Sequence, residues 1–488
     1  MREMKAIVFL ELLIFLLPLG LIAQEEMKKG QSSEVAILKP QELPRDWHWG
    51  CMEVDTVSGA DIYRAYDYLK GRTPKAKTVV AIIDAGGDVT HKDLKNRLWV
   101  NRKEISGNGI DDDNNGFVDD IHGWNFLGFP DGRDIDGSDA ADWEFLRLRD
   151  KFTNVDTMKL SKKEKEEYRY FVDVVCRFSV LYRISRAEVV YQKRVQMMQE
   201  KQRKRDSLGD DVNSLKIRCY GNDKVCYANS WHGTHVAGIV GAMPTDEAGA
   251  CGIADVELMF VRILGRKGDE LDKDVASAIY YAVDNGARVI NMSFNKYFSP
   301  NKKLVDKAMR YAEKKGVLLV KAAGNDSCPV DKYSCYPSRF IGKKRTLRNF
   351  ICVGSLGPNG DVSDFSNYGK VGVDIFAPGE YIYSTVLNNE YGKLSGTSMA
   401  APIVSGVAAL IWNYFPELTM EQVKQAILEG TESWKGRRVT LPHEGRFKIS
   451  VGSQSVNFEE LCASGGVLNA LNAVKLAEEM QGKLKGKR

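Results

Sequence analysis

The sequence has little excess charge and only one long apolar run, and each scarcity excludes a class of protein. Its 69 basic and 65 acidic residues leave a net charge of +4 over 488 residues. Nucleic acid or an anionic membrane surface requires a clear basic surplus, so neither is expected as the main partner. After residue 23 no stretch is long and apolar enough to span a bilayer, so no stable membrane span is expected in a mature chain.

The one apolar run lies at the amino terminus. Arg2 and Lys5 precede apolar residues 6–23, and the run ends in small or polar side chains. This pattern predicts a secretory signal peptide over residues 1–23. A single membrane anchor is the alternative, because about 18 apolar residues is borderline for spanning. The predicted cleavage leaves a secreted or periplasmic protein that begins with an N-terminal extension over residues 24–75.

Cysteine and histidine are both few. The nine cysteines are an odd number, so at least one stays unpaired. The pairs Cys219/Cys226 and Cys328/Cys335 each close a short, turn-rich loop, which makes both pairs candidate disulfides in an exported protein. Buried free thiols are the alternative for each pair. The chain has only six histidines, so a motif that uses two of them is informative.

Several apolar, β-branched segments predict parallel strands of one sheet. They are residues 78–83 (TVVAII), 258–264, 287–293, 317–325 and 350–355. Parallel strands buried on both faces have such continuous apolar runs, and helical stretches at 272–285 and 303–315 lie between them. The predicted fold class is therefore α/β, with a mostly parallel central sheet flanked by helices. Functional groups in such sheets gather beyond the carboxyl ends of the strands.

This alternation of strands and helices is interrupted between residues 136 and 223. A stretch rich in Lys, Arg and Glu predicts a charged helical insertion there. Phe171, Val174, Val175 and Phe178 recur at helical spacing, so one apolar face is expected to pack on the body of the protein. The leading interpretation is a solvated structural appendage, and a lid over substrate or an arm for a partner is the alternative.

Three separated motifs contain the residue types needed for acyl transfer. Asp84 ends the first predicted strand, HGTHVAG begins at His232, and GTSMAAP places Ser398 at the start of an apolar helix. An imidazole can take a proton from a hydroxyl, and a carboxylate can orient that imidazole. Zinc bound by His232 and His235 is disfavoured, because no HExxH-type glutamate accompanies them. Alone, Ser398 would be interpreted as an ordinary helix cap.

The order Asp, His, Ser and the residues around each resemble the subtilase family of serine proteases. The resemblance runs from about residue 60 to residue 474, and it implies a peptidase domain over 76–480 that ends before a basic tail at 481–488. It further implies a subtilisin-like three-layer fold and a serine endopeptidase that acts on proteins or peptides.

The resemblance also assigns roles to individual residues. Ser398 is the expected nucleophile, His232 the base and Asp84 its orienting partner. AAGN at residues 322–325 is similar to the family's oxyanion motif, so the Asn325 amide and the Ser398 N–H are expected to stabilise the tetrahedral oxygen. The residues expected to lie against an extended substrate are Asn291, Ser293, Phe294 and Asn295. The Tyr336-Pro337 step resembles a site at which a cis peptide is expected.

Two positions depart from the family's pattern. The family usually has Thr or Ser after the catalytic Asp, but Ala85 follows Asp84 here and removes a hydroxyl beside the carboxylate. After NMSF the family commonly has glycine, and Asn295 stands there instead, which narrows the substrate groove. These departures motivate an alternative function, a catalytically weak or inactive peptide-binding protein of the cell envelope on a subtilase fold.

An acidic segment, GNGIDDDNNGFVDD, covers residues 107–120 and is spaced like the start of an EF-hand loop. Five carboxylates within residues 111–120 repel one another, and a hard cation would relieve that repulsion. The twelfth loop position is His122 rather than Glu, so the loop is only similar to an EF-hand. We expect a structural Ca²⁺, and a solvated acidic turn is the alternative. The candidate ligands are Asp111, Asp113, Asn115, Asp119 and Asp120.

Overall fold

The computed structural model describes residues 43–485, except 130, 208–210, 212, 217, 267, 343–344 and 444–453. The predicted signal peptide, residues 24–42 of the predicted N-terminal extension and the last three residues of the basic tail lie outside the described residues. Among the helices that are described, none has the length and apolar character that crossing a membrane requires.

The strands divide between one large sheet and three small ribbons. In chain order they are β1 (Thr78–Asp84), β2 (Gly123–Asn125), β3 (Val256–Arg262), β4 (Val289–Met292), β5 (Leu318–Ala322), β6 (Phe340–Ile341), β7 (Arg345–Thr346), β8 (Phe350–Leu356), β9 (Ile375–Pro378), β10 (Ile382–Val386), β11 (Glu390–Leu394), β12 (Glu432–Ser433), β13 (Arg438–Thr440), β14 (Ser455–Asn457) and β15 (Gly466–Val467). Within the described residues, the large sheet has nine strands in the order β12-β15-β9-β8-β5-β4-β1-β3-β2. Every neighbouring pair in it is parallel except β12 with β15.

The helices, in chain order, are α1 (Met52–Asp55), α2 (Ile62–Leu69), α3 (Ala140–Phe152), α4 (Lys162–Tyr170), α5 (Cys176–Phe178), α6 (Val180–Ile184), α7 (Glu188–Asp206), α8 (Trp231–Gly241), α9 (Asp272–Asp284), α10 (Lys302–Lys315), α11 (Thr397–Tyr414), α12 (Met420–Glu429) and α13 (Ala470–Lys485). Helices alternate with the strands of the large sheet from β3 to β5, whereas α1 and α2 precede β1 and α3 to α7 follow one another in the insertion. A π-helical turn over Phe171–Val175 joins α4 to α5. The predicted α/β class with a mostly parallel, helix-flanked sheet is confirmed.

Strand β1 is an interior strand of the sheet and lies between β3 and β4. All its residues are buried except Val79, as a continuous apolar run in a parallel sheet requires. Successive side chains point to opposite faces of a strand, and Ala81 and Ile83 join the core formed with α9 and α10. Helix α11 is buried along most of its length and packs on β4, β5, β8 and β9. This packing brings the amino-terminal end of α11 to the carboxyl edge of the sheet.

The charged insertion folds as helices α3 to α7 around an apolar core that it shares with Tyr297, Phe298 and Cys328 of the protein body. Val174 and Val175 are buried in that core, and Phe171 and Phe178 pack against it, as the helical spacing predicts. Phe178 also stacks on Tyr297 of the protein body, with ring centroids 4.3 Å apart. The insertion therefore joins the body through one apolar face, while its charged side chains line the other faces.

The nine cysteines all lie in the described part of the chain, and all are free thiols. Cys328 is buried and Cys335 is half-buried, and no covalent bond joins them. Cys219 Sγ instead lies 3.7 Å from the Asn115 carbonyl oxygen. Both candidate pairs are therefore free thiols in this structure, which is the alternative to the predicted disulfides. The Tyr336-Pro337 peptide is cis, as expected.

Candidate active site

The three candidate catalytic residues each sit at the end of a secondary-structure element. Asp84 is the last residue of β1, His232 is the second residue of α8, and Ser398 is the second residue of α11. A glycine lets the first two elements approach, because a Cβ at Gly233 would lie 1.9 Å from the Gly86 carbonyl oxygen. The fold thereby brings a carboxylate and an imidazole into contact from segments 148 residues apart.

Asp84 and His232 are directly hydrogen-bonded. His232 Nδ1 lies 2.7 Å from Asp84 Oδ1; the carboxylate is fully buried and the imidazole is 22% exposed. Burial acts to lower the pKa of His232, but the charge of Asp84 and the hydrogen bond outweigh it and raise the pKa above 6.5. The Trp231 ring meets the imidazole edge-on, with centroids 5.6 Å apart. The carboxylate therefore both orients the imidazole and stabilises its protonated form.

Ser398 is held against the end of β4 by a reciprocal pair of hydrogen bonds. Its hydroxyl donates to the Ser293 carbonyl oxygen at 3.0 Å, and the Ser293 hydroxyl donates to the Ser398 carbonyl oxygen at 2.8 Å. In the described part of the chain no hydrogen bond joins Ser398 Oγ to His232. Hydrogen bonds of catalytic groups often form fully only when substrate is bound. The resting hydroxyl is therefore turned toward the edge of the sheet.

Two N–H donors converge beside Ser398. Asn325 Oδ1 accepts hydrogen bonds from the Thr397 backbone N–H at 2.9 Å and from its hydroxyl at 2.8 Å. This fixes the amide, so that its Nδ2 donor points away from Thr397. A Cβ built on Gly396 would lie 3.3 Å from Asn325 Nδ2 and 3.6 Å from the Ser398 backbone nitrogen. Both nitrogens therefore border one small space, which the missing side chain of Gly396 leaves open.

The second histidine of the HGTHVAG motif is fully buried. Its Nε2 lies 3.0 Å from the Gly392 carbonyl oxygen, which can only accept, so Nε2 carries the proton. Burial lowers the pKa of His235 to about 3, and the ring stays neutral at ordinary pH. His235 therefore links α8 to β11.

The predicted substrate-binding residues lie in and just after the last part of β4, and their side chains make different contacts. Asn291 is fully buried and bridges two hydroxyls, donating to Ser293 at 2.9 Å and accepting from Ser405 at 2.9 Å. Phe294 is packed in the core. Asn295 Oδ1 accepts a hydrogen bond from Lys321 at 2.9 Å. Asn291 and Ser293 thus fix the strand to α11, whereas Asn295 lies where β4 ends and the loop begins.

Lys321 was not singled out from the sequence. Its side chain is 1% exposed, and its ammonium donates to Asn295 Oδ1 and, at 2.7 Å, to the Ala322 carbonyl oxygen. A charged residue inside the otherwise apolar run 317–323 was the available signal. Its partner Asn295 lies in the loop after β4, three residues beyond Met292, which pairs with Lys321 in β5, so only the pairing of β4 with β5 reveals the contact.

The acidic loop brings three carboxylates together. Oxygen atoms of Glu104, Asp111 and Asp113 all lie within 4.8 Å of one another. Asp111 also accepts backbone hydrogen bonds from Asn115 and Gly116, which shape the turn. Glu104 was missed in the sequence because it lies outside the acidic run. Oxygen ligands in such a cluster suit Ca²⁺.

The other predicted calcium ligands make different contacts. Both oxygens of Asp119 accept backbone hydrogen bonds from residues 107–109. Asp120 is fully buried, with hydrogen bonds from Asn101, Asn115 and Tyr281. Burial raises the pKa of Asp120 to about 6. These two carboxylates support the loop, while the converging oxygens belong to Glu104, Asp111 and Asp113.

The sequence and the structure were compared with those of known proteins. The sequence profile of the subtilase family matches residues 75–448. The chain belongs to the subtilase family. Subtilase sequences similar to it include thermitase of Thermoactinomyces vulgaris, 39% identical over 191 residues, which are 39% of this chain and 64% of thermitase. A thermophilic serine proteinase of Bacillus sp. (strain AK1) is 40% identical over 181 residues, 37% of this chain and 42% of that proteinase.

The similarity to these subtilases is partial in length, since the matched segments span less than two thirds of each relative. Among solved structures, a protease of Pseudoalteromonas arctica PAMC 21717 matches with a TM-score of 0.51. That match covers 88% of this chain and 97% of the other, at 22% identity. At this identity the likeness supports the subtilase fold alone.

Proposed function

We propose that this subtilase is a serine endopeptidase that hydrolyses peptide bonds in proteins through Asp84, His232 and Ser398. The observation that carries the proposal is the 2.7 Å hydrogen bond between His232 and a fully buried Asp84, combined with Ser398 at the start of α11. An imidazole whose pKa a carboxylate raises is suited to accept a hydroxyl proton and to return it to a leaving amine.

The reaction proceeds in two acyl-transfer steps. Ser398 Oγ leaves its hydrogen bond to the Ser293 carbonyl oxygen and attacks the substrate carbonyl carbon, while His232 takes the hydroxyl proton. His232 then protonates the leaving amine as the peptide C–N bond breaks and the acyl-enzyme forms. Water, deprotonated by His232, attacks the ester, and the proton returns to Ser398 Oγ when the acid product leaves. Asp84 holds the imidazole in place throughout.

The tetrahedral oxygen is stabilised by the two converging donors. Asn325 Nδ2 and the Ser398 backbone nitrogen border the same space beside the nucleophile. Thr397 fixes the orientation of the Asn325 amide before substrate arrives, so no reorganisation is needed during the reaction. The start of a helix also favours negative charge, because its first N–H groups lack helical acceptors.

The acidic loop fits a structural calcium ion. Glu104, Asp111 and Asp113 would hold it, since their carboxylate oxygens converge. The ion would supply positive charge that offsets their mutual repulsion and stiffens the loop. The predicted signal peptide adds a secreted or periplasmic location to the proposal.

Labelling by a fluorescent fluorophosphonate tests the proposed activity. We expect covalent labelling of the wild-type protein and hydrolysis of casein, with both lost in Ser398→Ala, because only an activated serine reacts. Ser277→Ala is a matched control, since Ser277 is a buried helical serine on α9 that accepts from the Tyr220 hydroxyl and lies outside the proposed machinery. A folded wild-type protein that takes no label would contradict the proposal and favour the inactive, peptide-binding alternative.

A further inference from the structure

Two cysteines lie in the segment that follows Asn325, and one side chain contacts both of them. Cys328 is buried, Cys335 is half-buried, and both pack in the apolar core between the insertion and the protein body. Asn367 Oδ1 accepts from the Cys328 backbone N–H at 2.8 Å, and Asn367 Nδ2 lies 3.8 Å from Cys335 Sγ. The fully buried Asn367 therefore holds two cysteines together that are seven positions apart in the sequence.

A buried cation lies close to this pair. Lys321 is 1% exposed, and its ammonium donates only to uncharged oxygens, one of which is Asn295 Oδ1. A Cβ on Gly324 would lie 2.7 Å from Asn295 Nδ2 and 2.3 Å from Asn367 Nδ2, so the two amides border one space. The ammonium contacts one of these amides and Cys335 contacts the other. A buried charge with neutral partners favours an anion nearby, and a thiolate is such an anion.

The surroundings shift the ionisation of the two thiols in opposite directions. Burial acts to raise the pKa of Cys335, but the Cys328 thiol, the Lys321 ammonium and the Tyr297 hydroxyl outweigh it and lower the pKa. Burial raises the pKa of Cys328, and the neighbouring Cys335 raises it further. The other ionisable groups near Cys335 are Asp326, Tyr336 and Cys352. Cys335 is therefore the thiol of this pair that ionises first.

Cys335 is also accessible to a small reagent. A cavity of about 1380 Å³ lies between the insertion and the protein body, and its lining includes Ser334 and Tyr336, the chain neighbours of Cys335. Reactive cysteines are partly exposed and lie in electropositive surroundings, whereas buried structural cysteines are inert. Cys352 and Cys462 are of the second kind, because they are buried and burial raises the pKa of each to about 11.

We propose that Cys335 is an oxidative modification site, at which a peroxide converts Cys335 and Cys328 into a disulfide. The Cys335 thiolate attacks one peroxide oxygen, the O–O bond breaks, and a sulfenic acid forms with release of hydroxide. The proton that Cys335 lost converts this hydroxide to water. The Cys328 sulfur then attacks the Cys335 sulfur, the S–O bond breaks, and the hydroxyl leaves with the Cys328 proton as a second water. The two thiols lose two electrons in total, which reduce the peroxide, and an added dithiol restores both thiols.

The test treats the folded wild-type protein with hydrogen peroxide and identifies modified cysteines by mass spectrometry after alkylation of the remaining thiols. We expect a disulfide between Cys328 and Cys335 that dithiothreitol reverses. Cys219 and Cys226 are the matched control, because they have the same spacing but burial raises the pKa of both. They should be oxidised at least about tenfold more slowly. No oxidation of Cys335, or equal rates for the two pairs, would overturn the inference.

Cys328→Ser separates the two chemical steps. The variant keeps Cys335 and lacks the second sulfur, so peroxide should give a sulfenic acid that a dimedone probe labels. In the opposite variant, Cys335→Ser, we expect Cys328 to stay reduced, since it is buried and its pKa is raised. A Cys328→Ser protein without dimedone label, or ready oxidation of Cys328 in Cys335→Ser, would contradict the assignment of Cys335 as the reactive thiol.

Lys321→Met tests whether the buried cation makes Cys335 reactive. Without the ammonium the pKa of Cys335 should rise, so the rate of alkylation by iodoacetamide should increase at higher pH than in wild type. Lys332→Met removes the same charge from an exposed position three residues before Cys335 and should leave this pH profile unchanged. An unchanged profile in Lys321→Met, or an equal shift in both variants, would refute the role of Lys321. The comparison of the two cysteine pairs in wild type needs neither a folded variant nor peptidase activity, so it tests the inference independently of both.

Discussion

His232 Nδ1 lies 2.7 Å from Asp84 Oδ1, and this one oxygen carries the hydrogen bonds of the carboxylate. It also accepts from the Ala85 backbone N–H at 2.6 Å. Asp84 Oδ2 is buried and has no hydrogen-bond partner among the described residues. The imidazole is therefore oriented by a carboxylate that is itself supported on one side only.

Asp84→Asn is expected to lower kcat by a factor on the order of 10⁴, because an amide does not hold the imidazole in the required tautomer.

The pH profile of Asp84→Asn should differ from that of the wild-type protein as well. His232 acts as a base only when neutral, so wild-type kcat/KM should fall as pH drops through an apparent pKa above 6.5. Without the Asp84 charge, burial lowers the pKa of His232 unopposed. The pH at which the remaining activity falls on the acid side should therefore be lower than in wild type. Rates measured between about pH 5 and 9 check this.

The control for this variant is Asp88→Asn. Asp88 is also buried, but it accepts from Thr90 and from the Asn388 backbone N–H and does not contact His232. Asp88→Asn should leave the pH at which kcat/KM falls on the acid side the same as in wild type. An acid limb that is unchanged in Asp84→Asn, or equally shifted in both variants, would refute the assignment of the raised pKa to Asp84.

Ala85→Ser is expected to stabilise the protein, because the added hydroxyl restores a donor beside the unpaired Asp84 Oδ2. A hydrogen bond to a charged group contributes about 1.5–3 kcal/mol, and burial of the new hydroxyl offsets part of it, so a gain of about 1 kcal/mol is expected. Ala85→Cys is the matched control, since a thiol of similar size is a weak donor. Urea unfolding measures the free energy of unfolding of each variant. Equal values for Ser and Cys would show that the hydroxyl donates elsewhere.

The parts of the fold that the sequence predicts are those in which local pattern and final environment agree. The run TVVAII becomes β1 because the strand is buried on both faces, and the strand extends by one residue to include Asp84. The GTSMAAP segment becomes the start of α11 because small residues allow the helix to pack closely on the sheet. Both elements can be predicted from the local sequence, without knowing which distant residues they contact.

The parts that sequence reasoning missed depend on contacts between distant segments. Glu104 lies outside the acidic run, and only the folded loop brings its carboxylate to Asp111 and Asp113. Lys321 meets Asn295 because β4 and β5 pair in one particular register. No local pattern contains these relationships.

Arg205→Met should destabilise the protein strongly, because it breaks a buried ion pair that anchors α7 to α9. Arg205 is 3% exposed and forks onto the fully buried Asp274, with Nη1 3.1 Å from Oδ2. Removal of one partner leaves Asp274 buried and charged without its guanidinium, although the Tyr220 hydroxyl still donates to it, and this costs about 3–5 kcal/mol. Urea unfolding monitored by circular dichroism gives the free energy of unfolding.

The matched control for the ion pair is Arg147→Met on α3 of the same insertion. Arg147 is exposed and pairs with Glu144 and Glu167 near the surface, so its loss should cost less than about 1 kcal/mol. The combined variant Arg205→Met, Asp274→Asn should recover part of the lost stability, because no unpaired charge remains buried. A cost for Arg205→Met no larger than for Arg147→Met would show that the insertion is anchored by its apolar core alone.

Calcium removal should lower the stability of the wild-type protein, and Asp113→Asn should abolish this dependence on calcium. At a calcium concentration about 100 times the dissociation constant, binding stabilises the folded state by about 2.7 kcal/mol, which a chelator removes. Asp113→Asn takes away one of the three converging carboxylates, so this stabilisation should be lost. In chelator the variant should be more stable than wild type, because its loop carries less mutual repulsion.

Asp112→Asn makes the same charge change one residue away and separates a bound cation from a general charge effect. Asp112 Oδ2 accepts from the Ile105 backbone N–H and from Asn108, an acceptor role that an asparagine oxygen retains. This variant should therefore keep the calcium-dependent part of the unfolding free energy. Unfolding of all three proteins with and without chelator measures it. If Asp112→Asn and Asp113→Asn respond alike, or wild type is indifferent to chelation, the loop is a solvated acidic turn held by its own hydrogen bonds.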